Sequence, residues 1–346
     1  MKSRPLVACI ADPRCLEHDM GKNHPERPAR LGRLLNRLNQ EPWYSEVTRL
    51  EPRAAEAHEI LRVHSETLLN QVESSRGRRV VFDPDTSAGP ASCEAALIAA
   101  GCGLAAVDAV VDGSVRSAFA MVRPPGHHAE PQRIMGFCLF NNIAIAARHA
   151  LDSLGMNRVA IVDFDVHHGN GTQAAFYTDP RVLYLSTHQH PYYPGTGSAL
   201  ELGADKGAGS TLNIPLRSGH SDAEYNAIYG ALVPRILEQF QPELILVSAG
   251  LDLMAADPLA GMGVSTNGVL HIAQSLVGCA ERLCNGRIVF MLEGGYDLDS
   301  LTDGVGACLN AMGQNGLGDE PLADFMAPQL GDAKHHLKHY RPFFLL

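Results

Sequence analysis

Short apolar runs alternate with longer segments of helical periodicity along most of this chain. The runs are four to seven residues long, as buried strands of parallel sheets usually are. They predict strands at residues 6–11, 119–122, 159–162, 182–186, 212–216, 243–249 and 287–292. The segments between them predict helices at residues 29–40, 54–73, 93–111, 142–154, 173–176, 223–240 and 267–284.

Strands that alternate with helices predict an α/β fold in which a mostly parallel sheet has helices on both faces. A chain of 346 residues is long enough for two domains, but no repeat or linker of biased composition divides this sequence. We therefore expect a single domain over residues 1–346, in which the segment 320–346 supplies packing or oligomer contacts.

One predicted strand leads into most of the candidate chemistry. Residues 159–171 read VAIVDFDVHHGNG, so an apolar run is followed at once by two aspartates and two histidines. Ligand sites in open α/β sheets lie at the carboxyl ends of the strands. Alternate residues of an extended segment share a face, which places Asp163, Asp165 and His167 together. Polar residues at a strand end can simply meet solvent, but the apolar residues between these three argue against that interpretation.

Other polar groups follow other predicted strands. His127 and His128 lie in a rigid Pro-Pro-Gly loop, where paired imidazoles can act as general acid and base. Asp252 and Tyr296 each follow a further buried strand. Unrelated polar residues would scatter over both edges of the sheet, so we predict one site that contains all of these groups.

These residue types suit amide hydrolysis. Asp165, His167 and Asp252 form a mixed oxygen and nitrogen set that fits Zn²⁺, with Fe²⁺ or Co²⁺ as alternatives. Three protein ligands leave a position for water, whose pKa the metal lowers. The histidine pair can move protons, and the Tyr296 phenol can donate to a developing oxyanion.

Two loops allow two interpretations each. In residues 24–28, HPERP, the prolines alone can set the entry of a helix, or Arg27 can face an interior polar cavity. In the turn-rich stretch 83–86, Asp85 can lie in a solvated loop or reach the mouth of a cleft. The sequence leaves both alternatives open.

Composition excludes several classes of partner. The chain has 28 basic and 38 acidic residues, a net charge of −10, which argues against sequence-independent binding to nucleic acid. We expect no membrane span, because no apolar stretch is long enough, and no signal peptide, because Lys2 and Arg4 precede only a short apolar run. Eight cysteines without a C-x-x-C pair suit buried thiols in a reducing compartment. A cytoplasmic protein is expected, and the oligomeric state stays open, a homo-oligomer included.

Six motifs resemble the zinc-dependent histone deacetylase family, in its class II and bacterial histone-deacetylase-like amidohydrolase branch. In chain order they are RPPGHHA (123–129), GFCLFNN (136–142), DFDVHHGNGTQ (163–173), SAGLD (248–252), DPL (257–259) and EGGY (293–296). The similarity covers about residues 24–301, with the motifs in the order of the family. It implies an arginase/deacetylase fold with an eight-stranded sheet, and removal of acetyl or related acyl groups from lysine ε-amines.

The resemblance also implies roles for the proton-moving residues. His127 would pair with Asp163, and His128 would pair with Asn170. His128 is the better candidate for the general base. Tyr296 would be the phenol that polarises the substrate carbonyl.

The resemblance further implies two cations and a substrate channel. One catalytic Zn²⁺ would be bound by Asp165, His167 and Asp252. A structural K⁺ would be bound, largely through backbone carbonyls, by Asp163, Asp165, His167, Ser186 and Thr187. The residues that would bind substrate are Asp85, Gly136, Phe137, Tyr193, Leu259 and Gly294. Among them Phe137 and Tyr193 would form the channel walls, and Asp85 would hold the substrate backbone at the rim.

Three positions depart from the family pattern. Leu251 stands before the metal-ligand Asp where Phe is usual, so the packing behind the metal differs. Tyr193 stands where Phe is usual and adds a hydroxyl to the channel wall. Leu259 stands where polyamine-selective relatives have an acidic residue, which favours acyl-lysine over a free cationic polyamine.

Three other functions are possible alternatives to acyl-lysine hydrolysis, and particular positions of the sequence distinguish them. Hydrolysis of acetylpolyamines or other small amides differs only at position 259 and in the rim loops. A binuclear manganese ureohydrolase shares the fold, but it needs a further Asp where Met254 stands. A scaffold without activity would lack a ligand, a histidine or the tyrosine, and this chain has all of them.

Overall fold

The structure of the protein is a computed structural model that describes residues 7–313, 330 and 333–346. The strands within this part of the chain are β1 (Val7–Ile10), β2 (Thr48–Arg49), β3 (Val80–Val81), β4 (Ser87–Ala88), β5 (Ser117–Ala120), β6 (Val159–Asp163), β7 (Val182–Gln189), β8 (Thr211–Leu216), β9 (Leu244–Ala249) and β10 (Ile288–Leu292). The α-helices are α1 (Ala29–Leu38), α2 (Ala57–Ile60), α3 (Glu66–Glu73), α4 (Ser92–Val111), α5 (Asn142–Asp152), α6 (Asn170–Phe176), α7 (Asp222–Ala227), α8 (Val233–Phe240), α9 (Thr266–Cys284), α10 (Leu298–Gly313) and α11 (Ala333–Tyr340).

Eight of the described strands form one sheet, in the order β2-β1-β5-β10-β9-β6-β7-β8, with every neighbouring pair parallel. The inner strands are buried along their whole length, which accounts for their unbroken apolar runs. The predicted α/β fold with an eight-stranded parallel sheet is confirmed. Because β5, β10, β9 and β6 are the four central strands, the loops that follow them meet at the middle of the carboxyl edge.

The helix predicted over residues 54–73 is two shorter helices, because the segment between them turns inward. His64 lies in this segment and is buried. Its Nε2 accepts a hydrogen bond from the Asn141 N–H at 2.8 Å, and its Nδ1 lies 3.0 Å from the Glu130 carbonyl oxygen. These contacts replace the helical continuation and attach α2 and α3 to the loop before α5.

The helix predicted over residues 223–240 is interrupted by a π-helical turn at Ile228–Leu232. Pro234 has no N–H to donate to the preceding turn, so the regular ladder cannot continue through it. The Tyr229 carbonyl accepts a hydrogen bond from the Ser275 hydroxyl of α9 instead. Tertiary contacts thus set the local register of this helix.

The expectation that no apolar stretch is long enough to span a membrane is wrong for helix α4. This helix is 20 residues long, and by length and composition it is apolar enough to cross a membrane. In the fold, 72% of an 18-residue apolar stretch of this helix is buried. A Cβ at Gly101 would overlap the Arg53 carbonyl oxygen, so this helix packs closely on its neighbours, as core helices do.

Helix α11 covers the edge strand β8. Leu337 and Tyr340 are buried, and the Tyr340 hydroxyl donates to the Asn213 carbonyl oxygen. A helix over an edge strand shields the sheet from pairing with other chains. Residues 320–329, 331 and 332 of the predicted contact segment lie outside the described residues, and its part in oligomer contacts stays a prediction.

Candidate active site

The four central strands each deliver polar groups to one place. β6 leads into residues 163–167, β9 leads into Asp252, and β10 leads into Tyr296. The loop after β5 brings His127 and His128. The groups that the sequence placed after separate strands therefore lie together at the carboxyl edge of the sheet.

Asp165, His167 and Asp252 form the candidate metal centre. All three are buried, and one ligand atom from each lies within 4.8 Å of the other two. His167 Nδ1 is 3.2 Å from Asp165 Oδ1 and 3.2 Å from Asp252 Oδ2. In the part of the chain that the structure describes, this is the one group of His, Cys, Asp or Glu residues with such an arrangement.

The surroundings of this centre fit a small divalent cation. Burial, together with the charge of Asp165, raises the pKa of Asp252, because two enclosed carboxylates repel each other. Glycines permit their close approach, since a Cβ at Gly250 would overlap the Asp165 carboxylate and a Cβ at Gly294 would overlap that of Asp252. Gly294 N–H also donates to Asp165 Oδ2 at 2.8 Å. Two oxygens and one nitrogen in this enclosure suit Zn²⁺ or Fe²⁺.

His127 lies between two carboxylates. Its Nδ1 is 3.0 Å from Asp163 Oδ2, and its Nε2 is 3.8 Å from Asp165 Oδ1. Asp163 Oδ2 also accepts from the Tyr184 hydroxyl at 3.1 Å. Burial opposes protonation of His127, but the charges of Asp165 and Asp163 outweigh it and raise its pKa to about 10. A cation bound by Asp165 would offset part of this charge.

The pKa of His128 is shifted in the direction opposite to that of His127. Its Nδ1 is 2.9 Å from Asn170 Oδ1, while the Asn170 amide donates to Glu130 Oε1 at 2.7 Å. The Asn170 oxygen therefore accepts from His128 Nδ1–H, and Nε2 is the nitrogen that faces the pocket as an acceptor. Burial and the neighbouring His127 hold the pKa of His128 well below its ordinary value. The structure thus contains both pairs, His127 with Asp163 and His128 with Asn170.

Asp257 positions the tyrosine. Its Oδ2 accepts from the Tyr296 N–H at 2.6 Å, and its Oδ1 accepts from the Leu259 N–H at 2.9 Å. One carboxylate therefore ties the loop of the phenol to the loop of residue 259. Burial holds the pKa of the Tyr296 phenol well above its ordinary value, so the hydroxyl keeps its proton and can donate.

Glu293 connects the same β10 loop to the histidine pair. Its Oε2 accepts from the N–H groups of Gly126 at 2.6 Å and His127 at 3.1 Å. Its Oε1 accepts from the Ser248 hydroxyl at 3.1 Å. Burial raises the pKa of Glu293 to about 7. Its place in the EGGY motif does not indicate these contacts, and the structure places it against the histidine loop.

A pocket of about 220 Å³ opens above these groups. Its lining residues are Asp85, His128, Gly136, Phe137, His167, Tyr192, Tyr193, Leu259 and Tyr296. Phe137 meets the Tyr296 ring edge-on with 5.8 Å between centroids, and Tyr193 meets His128 in the same way at 5.1 Å. Gly294, the remaining residue predicted to bind substrate, lies against the metal-ligand carboxylates instead of lining this pocket.

The departures from the family pattern have visible consequences. Leu251 is fully buried, and a Cβ at Gly304 of α10 would overlap it, so this helix lies close behind the metal-ligand loop. Burial raises the pKa of the Tyr193 phenol, which therefore stays uncharged in the pocket wall. The Leu259 side chain is half-buried at the pocket and adds apolar surface there.

The residues predicted to bind K⁺ lie on β6 and β7, where Asp163 is in register with Ser186. The Ser186 hydroxyl lies 2.9 Å from His188 Nδ1, and the Thr187 hydroxyl lies 2.8 Å from that of Tyr229. These contacts concern side chains, whereas the expected ligands are largely backbone carbonyls. The potassium site stays a prediction.

Sequence reasoning missed a buried cation behind the phenol. Arg30 is fully buried and donates to the carbonyl oxygens of Glu293 and Gly295, each at 2.6 Å. Its guanidinium carbon lies 4.9 Å from the centroid of the Tyr296 ring. Arg30 thus holds the backbone on both sides of Gly294 and supports the phenol from below.

The interpretation that Arg27 faces the interior is wrong, because its side chain is exposed. Its neighbour Glu26 is buried instead and receives Arg30 Nη1 at 3.1 Å. Arg123 donates to both Glu26 oxygens, at 2.5 and 2.6 Å. The spacing of Glu26 and Arg30, four residues apart at a helix entry, was the available signal.

Replacing Glu26 with Gln is expected to destabilise the fold by about 3–5 kcal/mol, because two buried guanidinium groups lose their counter-charge. Burial works to raise the pKa of Glu26, but Arg123, His18 and Arg30 outweigh it and lower the pKa to about 2. The stabilisation is therefore present above the unfolded pKa of about 4.5 and is lost as pH falls towards 2. Urea unfolding at pH 7 and pH 3 measures both effects.

The matched control is Glu51→Gln, which removes the same charge from an exposed position. It should change the free energy of unfolding by less than about 0.5 kcal/mol at either pH. Equal stability of the two variants at pH 7 would contradict a stabilising role for Glu26.

Fold and site together define the class of this protein: an α/β protein of the arginase/deacetylase fold with a candidate metal centre at the carboxyl edge of its sheet. A family model described as the histone deacetylase domain matches residues 24–312. The crystal structure of the HDA15 HD domain superposes with a TM-score of 0.90 at 33% identity, over 99% of this chain and 96% of that one. The chain therefore belongs to the histone deacetylase family.

Two relatives support the same assignment over most of their own lengths. A probable deacetylase of Archaeoglobus fulgidus is 40% identical over 286 residues, which are 82% of this chain and 79% of that protein. Histone deacetylase 14, chloroplastic, of Arabidopsis thaliana is 38% identical over 343 residues, or 92% of this chain and 80% of that protein. Deacetylase activity is the function that this membership supports.

Proposed function

We propose that the protein is a zinc-dependent amidohydrolase that removes acetyl or related acyl groups from the ε-amine of acylated lysine. One observation carries the proposal: His167 of the candidate metal centre, His128 and Tyr296 all line one pocket with aromatic walls. Membership of the histone deacetylase family supports the reaction class.

Asp165, His167 and Asp252 would hold the Zn²⁺ ion. When bound there, the ion supplies Lewis-acid polarisation of the substrate carbonyl and lowers the pKa of a water. The Val166 N–H donates to Asp252 Oδ1 at 3.0 Å and the His167 N–H donates to Asp165 Oδ1 at 2.9 Å. These bonds orient both carboxylates in advance, so little reorganisation is needed when the ion binds.

His128 is the proposed general base. Asn170 occupies its Nδ1–H, so Nε2 accepts a proton from the attacking water as the water oxygen bonds to the acyl carbon. The C–N bond then breaks, and the proton passes from the histidine pair to the leaving amine. The products are a carboxylate and the protonated amine of the lysine. His127, between Asp163 and Asp165, is the second member of the histidine pair.

Tyr296 is the proposed donor to the oxyanion that forms at the acyl carbonyl. The aliphatic chain of the lysine would lie between the rings of Phe137 and Tyr193. Asp85 at the rim offers a carboxylate to the substrate backbone, and Leu259 offers apolar contact instead of a charge that would attract a polyamine.

The deciding experiment measures kcat/KM side by side for acetyl-lysine peptides, trifluoroacetyl-lysine peptides and acetylated polyamines, with zinc content determined on the same sample. We expect the lysine substrates to be hydrolysed at least about tenfold more efficiently than the polyamines, because a cationic chain gains no counter-charge at Leu259. A hydroxamate should inhibit the zinc-loaded protein.

Preference for acetylated polyamines would assign specificity to the rim loops and would favour the small-amide alternative. A zinc-loaded protein that hydrolyses none of the three substrates would contradict the proposal. The cytoplasmic location stays a prediction, and the oligomeric state stays open.

A further inference from the structure

Tyr192 has two contacts that its position in a rim loop does not predict. Its hydroxyl donates to the Leu259 carbonyl oxygen at 2.8 Å, across 67 residues of sequence. Its ring stacks on the imidazole of His167, with 5.6 Å between centroids and 23° between planes. Tyr192 is 39% exposed, so these contacts hold a large aromatic side chain at the surface, over a proposed metal ligand.

Leu259 is itself connected, by further hydrogen bonds, to the loop that carries Tyr296. Leu259 N–H donates to Asp257 Oδ1 at 2.9 Å, and Asp257 Oδ2 accepts from Tyr296 N–H at 2.6 Å. Asp257 is buried, so this carboxylate relies on protein donors. An unbroken series of polar contacts therefore runs from the exposed Tyr192 through Leu259 and Asp257 to the backbone of Tyr296.

The same loop also carries a wall of the pocket. Tyr193 follows Tyr192 directly, and its ring meets His128 with 5.1 Å between centroids. The loop is folded back on itself, since Gly195 N–H donates to the Tyr192 carbonyl oxygen at 2.8 Å. A shift of Tyr192 would therefore move both the pocket wall at Tyr193 and the Leu259 loop to which Tyr192 is bonded.

We propose that Tyr192 is a positioning residue that holds the two rim loops together and, through Leu259 and Asp257, keeps the Tyr296 phenol at the substrate carbonyl. The inference rests on the proposed function for its kinetic consequences. The Tyr192 hydroxyl is bonded to the Leu259 carbonyl oxygen, so Tyr192 does not act on the substrate directly. Its effect on turnover would be transmitted through the backbone of the Leu259 loop. We also predict that the effect depends on the Tyr296 hydroxyl.

The test is Tyr192→Phe, which removes the hydroxyl and keeps the ring on His167. We expect kcat for an acetyl-lysine peptide to fall about three- to tenfold, the range for one neutral hydrogen bond, with KM changed less than about twofold. Tyr177→Phe is the matched control, because Tyr177 directly follows α6 and its carbonyl oxygen accepts from Ala204 N–H, outside the pocket lining. Its kcat should equal that of the wild type.

A double-mutant cycle separates positioning from general loosening. In a Tyr296→Phe background, adding Tyr192→Phe should lower kcat by less than about twofold, because the group that Tyr192 positions is already gone. The full three- to tenfold loss in that background would overturn the proposal, as would wild-type kcat in the single variant.

Hydrogen exchange tests the same link without turnover. Peptides that cover residues 253–262 should exchange faster in Tyr192→Phe than in the wild type, and equally in Tyr177→Phe. A wild-type protein that hydrolyses no acyl-lysine substrate would refute the proposed function, while faster exchange would still support the link between the loops. Unchanged exchange at these peptides would refute the link even in an active enzyme.

Discussion

Tyr296→Phe is expected to lower kcat by roughly a hundred- to a thousandfold, the usual cost of removing one oxyanion donor. The phenol lies in the pocket, and burial keeps it protonated, so its hydroxyl is placed to donate. Phe retains the ring that packs against Phe137 and lies over Arg30. Steady-state kinetics on an acetyl-lysine peptide measure the loss.

Two readouts show that the variant is otherwise intact. Zinc content and melting temperature should match the wild type. The hydroxyl is not among the proposed metal ligands, and Asp257 bonds the backbone N–H of residue 296, which the variant keeps. A hydroxamate should still bind. Unchanged kcat in a zinc-loaded variant would remove the phenol from the mechanism.

Asp252→Asn is expected to abolish zinc binding at stoichiometric metal and to lower kcat by at least about a thousandfold, in line with the several kcal/mol that a catalytic metal contributes. The Asn side chain has the same shape and can still accept from the Val166 N–H, but it offers His167 and the cation no charge. Zinc analysis and kinetics on the same preparation measure both losses.

The control for this variant is Asp205→Asn, an exposed position with φ of 51°, a conformation that Asn adopts readily. It should retain full zinc content and activity. Excess Zn²⁺ should restore part of the activity of Asp252→Asn if the ligand acts by holding the metal. Full activity of a zinc-free Asp252→Asn protein would contradict the assignment of the metal centre.

Local patterns explain why so much of the sheet was predictable. Parallel strands buried on both faces need unbroken apolar runs, and the runs at β5, β6, β9 and β10 are visible without any tertiary information. The interrupted helices were not predictable in this way. The inward turn at His64 and the π-helical turn before Pro234 depend on partners distant in sequence, Asn141 and Ser275.

The residues of the candidate site also fall into a group that the sequence predicts and a group that it does not. The sequence predicted the polar site residues that follow buried strands, because such positions are where ligand sites of α/β sheets lie. These residues are Asp165, His167, Asp252, His127 and Tyr296. It did not predict Arg30 and Glu26, since an Arg and a Glu at a helix entry usually meet solvent. Their burial follows from Arg123 and the β10 loop, which lie far away along the chain.

From the order of residues alone, the class of fold and the chemical types at the strand ends follow, because both depend on short-range periodicity and on motifs of a few residues. The three-dimensional packing selects the rest: which nitrogen of His128 faces the pocket, which side of the HPERP loop is buried, and that Tyr192 reaches Leu259. These outcomes depend on contacts between segments tens to hundreds of residues apart. Such contacts are set by the competition of every polar group for a buried partner, which no local pattern encodes.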